Sequence, residues 1–152
     1  YADIRAMWEH LVQERGIAPE CIVLVGSSMG GGVTGDWAGD DPAGAVLLES
    51  TFLSVPDAAQ GVYGWLPFRR LGRGHFRNID KVHRIPCPVL VIHSADDNVV
   101  PFAHGKKLYD AVTALKRFVE IRGGHSGGKF DSRDVYAAGV KDFLDQFFEC
   151  SE

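Results

Sequence analysis

Apolar residues recur along the chain with two spacings, one typical of helices and the other typical of buried strands. From residue 2 to residue 15 they return every three or four positions, with Gly16 directly after the last turn, which predicts an amphipathic helix. Four other apolar runs are short, largely β-branched and bounded by turn residues. They predict buried strands at 21–25, 45–48, 88–93 and 117–121.

Helical spacing returns between and after these strands. It predicts one helix over about 29–38, one that opens at Pro101, and one over about 131–148. The middle helix carries its apolar face on Leu108, Ala111, Val112 and Leu115. Strands that alternate with helices are typical of a parallel sheet covered on both faces. The sequence therefore predicts the α/β class, as a single three-layer αβα domain over residues 1–152.

Residues 51–84, between the second and third strands, follow neither spacing. Pro56, Pro67 and several glycines interrupt this segment. We therefore expect an irregular, cap-like excursion from the sheet rather than a second domain.

Charge and histidine spacing exclude two classes of function. The 152 residues carry a formal net charge of −4, which argues against general nucleic-acid binding. Most of the histidines lack the spacing to cysteines or carboxylates that a metal site requires; they are His10, His75, His83 and His104. A metal site is therefore not expected.

The three cysteines, Cys21, Cys87 and Cys150, are widely spaced and include no C-x-x-C pair. Two of them adjoin predicted core strands, so we expect buried free thiols in a reducing compartment. The sequence shows no signal peptide or membrane span. Together these features predict a cytoplasmic protein.

The first predicted strand runs directly into Gly26-Ser-Ser-Met-Gly30, which fits the pattern G-x-S-x-G. In this pattern a serine, here Ser28, lies on a tight turn between a strand and a helix with its hydroxyl exposed. Glycine is required on both sides because the turn leaves no room for side chains. The same pattern also occurs in glycine-rich turns that carry no chemistry.

Two further polar groups follow later strands. Asp97 lies in the loop after the third strand, and His125 comes directly after the fourth. Because the carboxyl ends of parallel strands meet at one edge of the sheet, we expect both near Ser28. His125 would then take the proton of Ser28, Asp97 would orient the imidazole, and the backbone N–H of Met29 would bind the oxyanion. Serine, acid and histidine in this order predict a serine hydrolase.

Four segments resemble the α/β-hydrolase superfamily of serine hydrolases, above all the α/β-hydrolase-domain proteins grouped with serine aminopeptidases and monoacylglycerol lipases. These segments are Gly26-Ser-Ser-Met-Gly-Gly31, Leu48-Glu-Ser-Thr-Phe-Leu-Ser54, His93-Ser-Ala-Asp-Asp-Asn-Val-Val-Pro101 and Gly123-Gly-His125. Family members read H-G-x-x-D-x-x-V-P around the acid, so the resemblance implies Asp97 in that role, with Ser28 and His125. His93-Ser94 departs from the usual His-Gly, and Ser126-Gly127 from the usual Asn-Asp.

The resemblance also implies that the four strands correspond to strands five to eight of the family fold. The chain is then the C-terminal portion of a longer hydrolase, and the second oxyanion donor lies upstream of Tyr1. The first strand becomes an exposed apolar edge of the sheet. We expect the missing N-terminal half or an oligomer partner to cover this edge.

Three other side chains at strand ends are alternatives. Glu49 ends the second strand, where some lipases place their acid, and Asp96 precedes Asp97; either could replace Asp97. His93 ends the third strand, where a local hydrogen bond is the simpler expectation.

Aromatic residues of the excursion, Phe52, Trp65 and Phe68, either form a wall for an apolar substrate or pack a long connection onto the sheet. A basic run follows them over residues 69–84, as a solvated face or as a contact with an anionic substrate or membrane surface.

We expect esterase- or lipase-like hydrolysis of a small-molecule carboxylic ester or thioester. A serine peptidase or amidase, and a non-catalytic interaction module, remain the alternatives.

Overall fold

A single sheet of four parallel strands organises the protein, with the strands in chain order. The structure is a computed structural model, and it describes residues 2–40, 43–62 and 77–150. Each strand pairs in parallel with the next one along the chain. The strands are β1 (Val23–Ser27), β2 (Ala45–Glu49), β3 (Val89–Ser94) and β4 (Lys116–Ile121). The parallel sheet predicted from the sequence is therefore confirmed.

Helices fill the connections between the strands and flank the sheet. The first helix continues into a short π-helical stretch over His10–Glu14, and Gly16 follows in a left-handed conformation. The α-helices are α1 (Ala2–Glu9), α2 (Gly30–Asp40), α3 (Val55–Val62), α4 (Phe102–Ala111), α5 (Gly128–Asp131) and α6 (Arg133–Phe147). Those predicted from helical spacing are all present.

The hydrophobic core is divided into two clusters, one on each face of the sheet. On one face, side chains of β2 and β3 pack with Ala38 of α2 and Leu108 of α4. On the other face, alternate residues of β2, β3 and β4 pack around Phe143 of α6, which is fully buried. Successive strand residues point to opposite faces, which is why both clusters draw on the same strands. The three-layer αβα arrangement is thus confirmed.

Two details of the helices differ from the prediction. Residues 55–62 form α3, although the segment was expected to be irregular. Ser54 caps its start, because the backbone N–H of Asp57 donates to Ser54 Oγ, and the same hydroxyl donates to Asp57 Oδ2. Leu115 does not belong to the buried face of α4, because that helix ends at Ala111 and the Leu115 side chain is exposed.

The expectation of three free thiols is wrong for two cysteines. Cys21 and Cys150 form a disulfide, with Cα atoms 4.8 Å apart and a separation of 129 positions in the sequence. The fold brings them together because the ring of Phe148, after α6, packs against Gly44 beside the backbone of Glu20. Cys87 is buried and free, and burial raises the pKa of its thiol. The cysteines of this chain therefore no longer indicate a reducing compartment.

Reduction of the Cys21–Cys150 disulfide is expected to lower the free energy of unfolding by up to about 5 kcal/mol, because it releases a loop of 129 residues in the unfolded chain. Thermal unfolding with and without dithiothreitol measures this loss as a fall in Tm. Cys150→Ser is the control, since its Tm should already be low and should not respond to the reductant. An equal response in Cys150→Ser would show that the disulfide is not the cause.

Strand β1 forms one edge of the sheet, as the sequence predicted. Its Val25 side chain is 56% exposed, and Met7 of α1 is also exposed nearby. A largely apolar groove of about 420 Å³ lies between α1, β1 and α2. Coverage of this edge by another segment or partner stays a prediction.

Among the described residues, no helix has the length and hydropathy needed to cross a membrane.

Candidate active site

Ser28 lies at the turn between β1 and α2 in a left-handed conformation, with a φ of 51°. The turn is tight because the backbone comes very close to its neighbours. A Cβ atom on Gly26 would lie 2.6 Å from Gly31 Cα, and one on Gly31 would lie 2.0 Å from Thr51 Oγ1. The N–H of Ser28 donates to the carbonyl oxygen of Glu49 at 2.9 Å, which ties the turn to β2. These contacts explain the need for glycine at positions 26 and 31. A Cβ atom on Gly30 would meet nothing within 4 Å, so the prediction that the turn excludes a side chain on both sides of Ser28 is wrong for Gly30.

Three side chains from three strand ends form one hydrogen-bonded chain. His125 Nε2 lies 3.0 Å from Ser28 Oγ, and His125 Nδ1 lies 2.8 Å from Asp97 Oδ2. The Asp97 side chain is fully buried, whereas the His125 side chain is 15% exposed. Since the carboxylate accepts the Nδ1 proton, Nε2 is left to accept a proton from the serine hydroxyl. The fold therefore brings together the three residues that the sequence singled out.

The loop after β3 holds Asp97 in place with its own backbone. Asp97 Oδ1 accepts hydrogen bonds from the N–H groups of Val99 and Val100, at 2.9 and 2.8 Å. Burial acts to raise the pKa of Asp97, but the hydrogen bonds from His125, Val100 and Val99 outweigh it and lower the pKa below its ordinary value. Asp97 thus remains a carboxylate at neutral pH.

The two alternative acids are engaged elsewhere. Asp96 accepts from Arg122 Nη1 at 2.9 Å and from the N–H of Gly123 at 3.2 Å, both at the start of the loop after β4. Glu49 accepts a hydrogen bond from the Tyr136 hydroxyl of α6. Burial, together with this bond, raises the pKa of Tyr136 well above its ordinary value. Neither carboxylate hydrogen bonds to His125 in the structure.

The backbone at the start of α2 offers a donor beside Ser28. No described residue accepts a hydrogen bond from the N–H of Met29, and the first helical residue follows directly at Gly30. The positive end of the helix dipole lies at this same place. The group predicted as an oxyanion donor is therefore available next to the serine.

A cavity of about 200 Å³ opens beside Ser28 and His125. Its walls are mostly polar and include Ser50, Lys129 and Tyr136. The sequence did not single out these residues, although Ser50 follows β2 as Ser28 follows β1. Ser50 also adopts a left-handed conformation, with a φ of 44°. The position of Ser50 at a strand end was the signal that could have identified it.

The predicted substrate wall is not found at this cavity among the described residues. Phe52 is buried, with a carbonyl oxygen that accepts a hydrogen bond from Asn78 Nδ2, and it does not line the cavity. Trp65 and Phe68 lie outside the described residues.

The described part of the basic run is paired with acids. Arg77 pairs with Asp80, Lys81 Nζ lies 2.6 Å from Asp36 Oδ1, and Arg84 pairs with Asp40. The acids of α2 thus neutralise two of these cations. Arg69, Arg70 and Arg73 lie outside the described residues. Within residues 2–40, 43–62 and 77–150, no group of three metal-ligating side chains occurs.

Two buried histidines, His93 and His104, are expected to make the protein less stable at acidic pH. Burial lowers the pKa of His93 and that of His104. Both therefore bind protons more readily in the unfolded chain, so their contribution to stability is complete above about pH 6.5 and is lost as the pH falls below it. Urea unfolding is expected to give a smaller free energy at about pH 5.5 than at about pH 7.5.

Variants at two histidines test this assignment. His104→Gln should flatten the change with pH, whereas His83→Gln, at an exposed position, should leave it intact. A free energy of unfolding that stays constant or rises towards pH 5.5 in the unmodified protein would contradict it.

The sequence matches the model of the prolyl oligopeptidase family over residues 1–150. An uncharacterized protein of Mycobacterium tuberculosis is 33% identical over 144 residues, which cover 94% of this chain and 51% of the relative. Human α/β hydrolase domain-containing protein 17C is 38% identical over 115 residues, covering 72% of this chain and 32% of that protein. The chain thus spans about half the length of the first relative and about a third of the second.

Solved structures share the same fold. An esterase of Pyrococcus furiosus superposes with a TM-score of 0.78 at 16% identity, covering 97% of this chain and 62% of the esterase. The esterase domain of a Rhodothermus marinus protein gives a TM-score of 0.73 at 21% identity, covering 97% of this chain and 68% of that domain. The three-layer αβα arrangement described above is therefore shared with the matching part of these esterases.

Proposed function

The chain belongs to the prolyl oligopeptidase family, within the α/β-hydrolase superfamily, and from that premise we propose that it is a serine hydrolase acting through an acyl-serine intermediate. Its substrate is a small-molecule carboxylic ester or thioester. The observation that carries the proposal is the hydrogen-bonded chain from Ser28 Oγ through His125 to the buried Asp97.

In the first half of the reaction, Ser28 Oγ attacks the carbonyl carbon of the substrate while its proton passes to His125 Nε2. Asp97 keeps the other imidazole proton on Nδ1 and stabilises the imidazolium that forms. The backbone N–H of Met29 donates to the oxyanion of the tetrahedral intermediate. His125 then gives its proton to the leaving alcohol or thiol as the bond to the carbonyl carbon breaks.

In the second half, water replaces the leaving group beside His125. His125 Nε2 takes a proton from this water, whose oxygen attacks the acyl-serine carbonyl. The new tetrahedral intermediate collapses, the bond to Ser28 Oγ breaks, and the proton on His125 returns to the serine oxygen. The products are a carboxylic acid and the free enzyme, and no cofactor takes part.

A serine peptidase or amidase is the second candidate, and the match to a peptidase family favours it. One triad can hydrolyse both classes of bond, so the triad alone does not choose between them. A p-nitrophenyl ester and the p-nitroanilide of the same acyl group form a matched pair. A higher kcat/KM for the ester is expected, and a higher value for the anilide would identify an amidase.

A fluorophosphonate probe tests the proposal without knowledge of the substrate. The probe reacts covalently with a serine whose proton a neighbouring base removes, so it should label Ser28, as peptide mapping can establish. A protein that is folded by circular dichroism but remains unlabelled would contradict the proposal and favour the non-catalytic interaction module.

A further inference from the structure

His93, near the end of β3, is a fully buried polar side chain to which the proposed chemistry assigns no task. Its Nε2 lies 3.0 Å from the carbonyl oxygen of Val100 and 3.5 Å from Asp97 Oδ2. Its Nδ1 has no hydrogen-bond partner among the described residues. Because both acceptors face Nε2, the single proton of the neutral ring lies on Nε2 and points into the acid loop, residues 97–100.

The packing around His93 fixes the ring in this orientation. A Cβ atom on Gly105 of α4 would lie only 2.5 Å from His93 Nδ1, so the helix backbone presses against the ring. Phe102 of the same helix meets the ring edge to face, with centroids 6.0 Å apart. Burial lowers the pKa of His93, which keeps the ring neutral near pH 7. The imidazole therefore presents one fixed donor to the acid loop.

The acid loop is closed from two sides. Asp97 Oδ1 holds it from within through the N–H groups of Val99 and Val100. From the sheet side, His93 Nε2 hydrogen bonds to the carbonyl oxygen of Val100 and lies beside Asp97 Oδ2. Asp97 Oδ2 is also the oxygen that accepts from His125 Nδ1 at 2.8 Å. One carboxylate oxygen thus lies between two imidazoles.

We propose that His93 is a positioning residue that holds the acid loop so that Asp97 Oδ2 faces His125 Nδ1. His93 contacts neither Ser28 nor the cavity beside it, and it acts only through Asp97. The role rests on the proposed function of Asp97 and His125. A side chain that merely filled space in the core would need volume at this place but no donor.

Two substitutions separate these roles. His93→Gln keeps an N–H donor at nearly the reach of Nε2, whereas His93→Leu keeps apolar volume and removes the donor. His93→Leu is expected to lower kcat for an activated ester by about 10–100-fold with little change in KM, in line with other residues that orient an active-site group. The acid limb of its pH profile should move to lower pH, since a loosely held Asp97 stabilises the imidazolium less. His93→Gln should retain most of kcat and the original profile.

Equal losses of kcat in the two variants, or a lower Tm with an unmoved pH profile in His93→Leu, would overturn the proposal. If His93→Leu fails to fold, His93→Asn takes its place, because its amide is too short to reach the Val100 carbonyl.

Proton NMR gives a readout that needs no turnover. The low-field resonance of His125 Nδ1–H, bonded to Asp97, should persist in His93→Gln and weaken or shift in His93→Leu. An unchanged resonance in His93→Leu would contradict the positioning role of His93, even if the protein hydrolyses no ester.

Discussion

Replacement of Ser28 by alanine is expected to lower kcat for a p-nitrophenyl ester by about 10⁴–10⁶-fold and to abolish fluorophosphonate labelling. The substitution removes the nucleophile and leaves His125 and Asp97 with their hydrogen bond intact. The loss should therefore appear in kcat, with the stability of the fold nearly unchanged. Initial rates, gel-based labelling and a urea unfolding curve measure the three quantities on one preparation.

Ser27→Ala is the matched comparison, because it removes a hydroxyl one residue earlier at the same strand end. Ser27 has an exposed side chain, and the hydrogen-bonded chain to His125 begins at Ser28. Labelling should therefore persist in Ser27→Ala. A protein that kept its activity in Ser28→Ala and lost it in Ser27→Ala would contradict the assignment of the nucleophile.

Much of this site could be predicted because each of its parts is a local sequence signal. Ser28 follows an apolar run and stands between glycines, Asp97 follows another such run, and His125 follows the last. Parallel strands bring their carboxyl ends to one edge, so strand order alone places these three residues near each other. The structure gives the distances of 3.0 and 2.8 Å that connect them.

What could not be predicted depends on contacts between distant parts of the chain. The pairing of Cys21 with Cys150 requires the chain after α6 to return to the start of β1, and no spacing of cysteines encodes that return. The bond between Glu49 and Tyr136 likewise joins β2 to α6. The local hydrogen bond expected for His93 is confirmed, to the carbonyl oxygen of Val100, whereas the position of its ring beside Asp97 Oδ2 could not be predicted because it depends on how the acid loop turns back.

Two further predictions, for residues 55–62 and for Leu115, were wrong because the local sequence signals were weak. Helix α3 was missed because Pro56 and neighbouring glycines suggested a break, whereas proline is compatible with the first turn of a helix. A serine in the N-cap position, Ser54, was the signal that favoured a helix there. Leu115 continues the helical spacing of α4, but that helix has already ended at Ala111.

The second large effect on kcat is expected at Asp97, and it distinguishes this carboxylate from the adjacent Asp96. Asp97→Asn is expected to lower kcat for an activated ester by about 10³–10⁴-fold. Asparagine can turn an N–H towards His125 Nδ1, which favours the tautomer with its proton on Nε2. That proton faces Ser28 Oγ, 3.0 Å away, so the ring can no longer accept the serine proton. The change keeps the size of the side chain and therefore isolates the effect of its charge and acceptor.

Asp96→Asn makes the same chemical change one residue earlier and serves as the control. It weakens an exposed ion pair with Arg122, which solvent screens, and leaves the bond from Asp97 to His125 intact. Its kcat should stay within about threefold of the unmodified protein. If Asp96→Asn lost more activity than Asp97→Asn, the acid would be Asp96. If neither loss exceeded about tenfold while Glu49→Gln was inactive, the acid would be at the end of β2. Only a large loss confined to Asp97→Asn supports the hydrogen-bonded chain from Ser28 through His125 to Asp97 as the catalytic machinery.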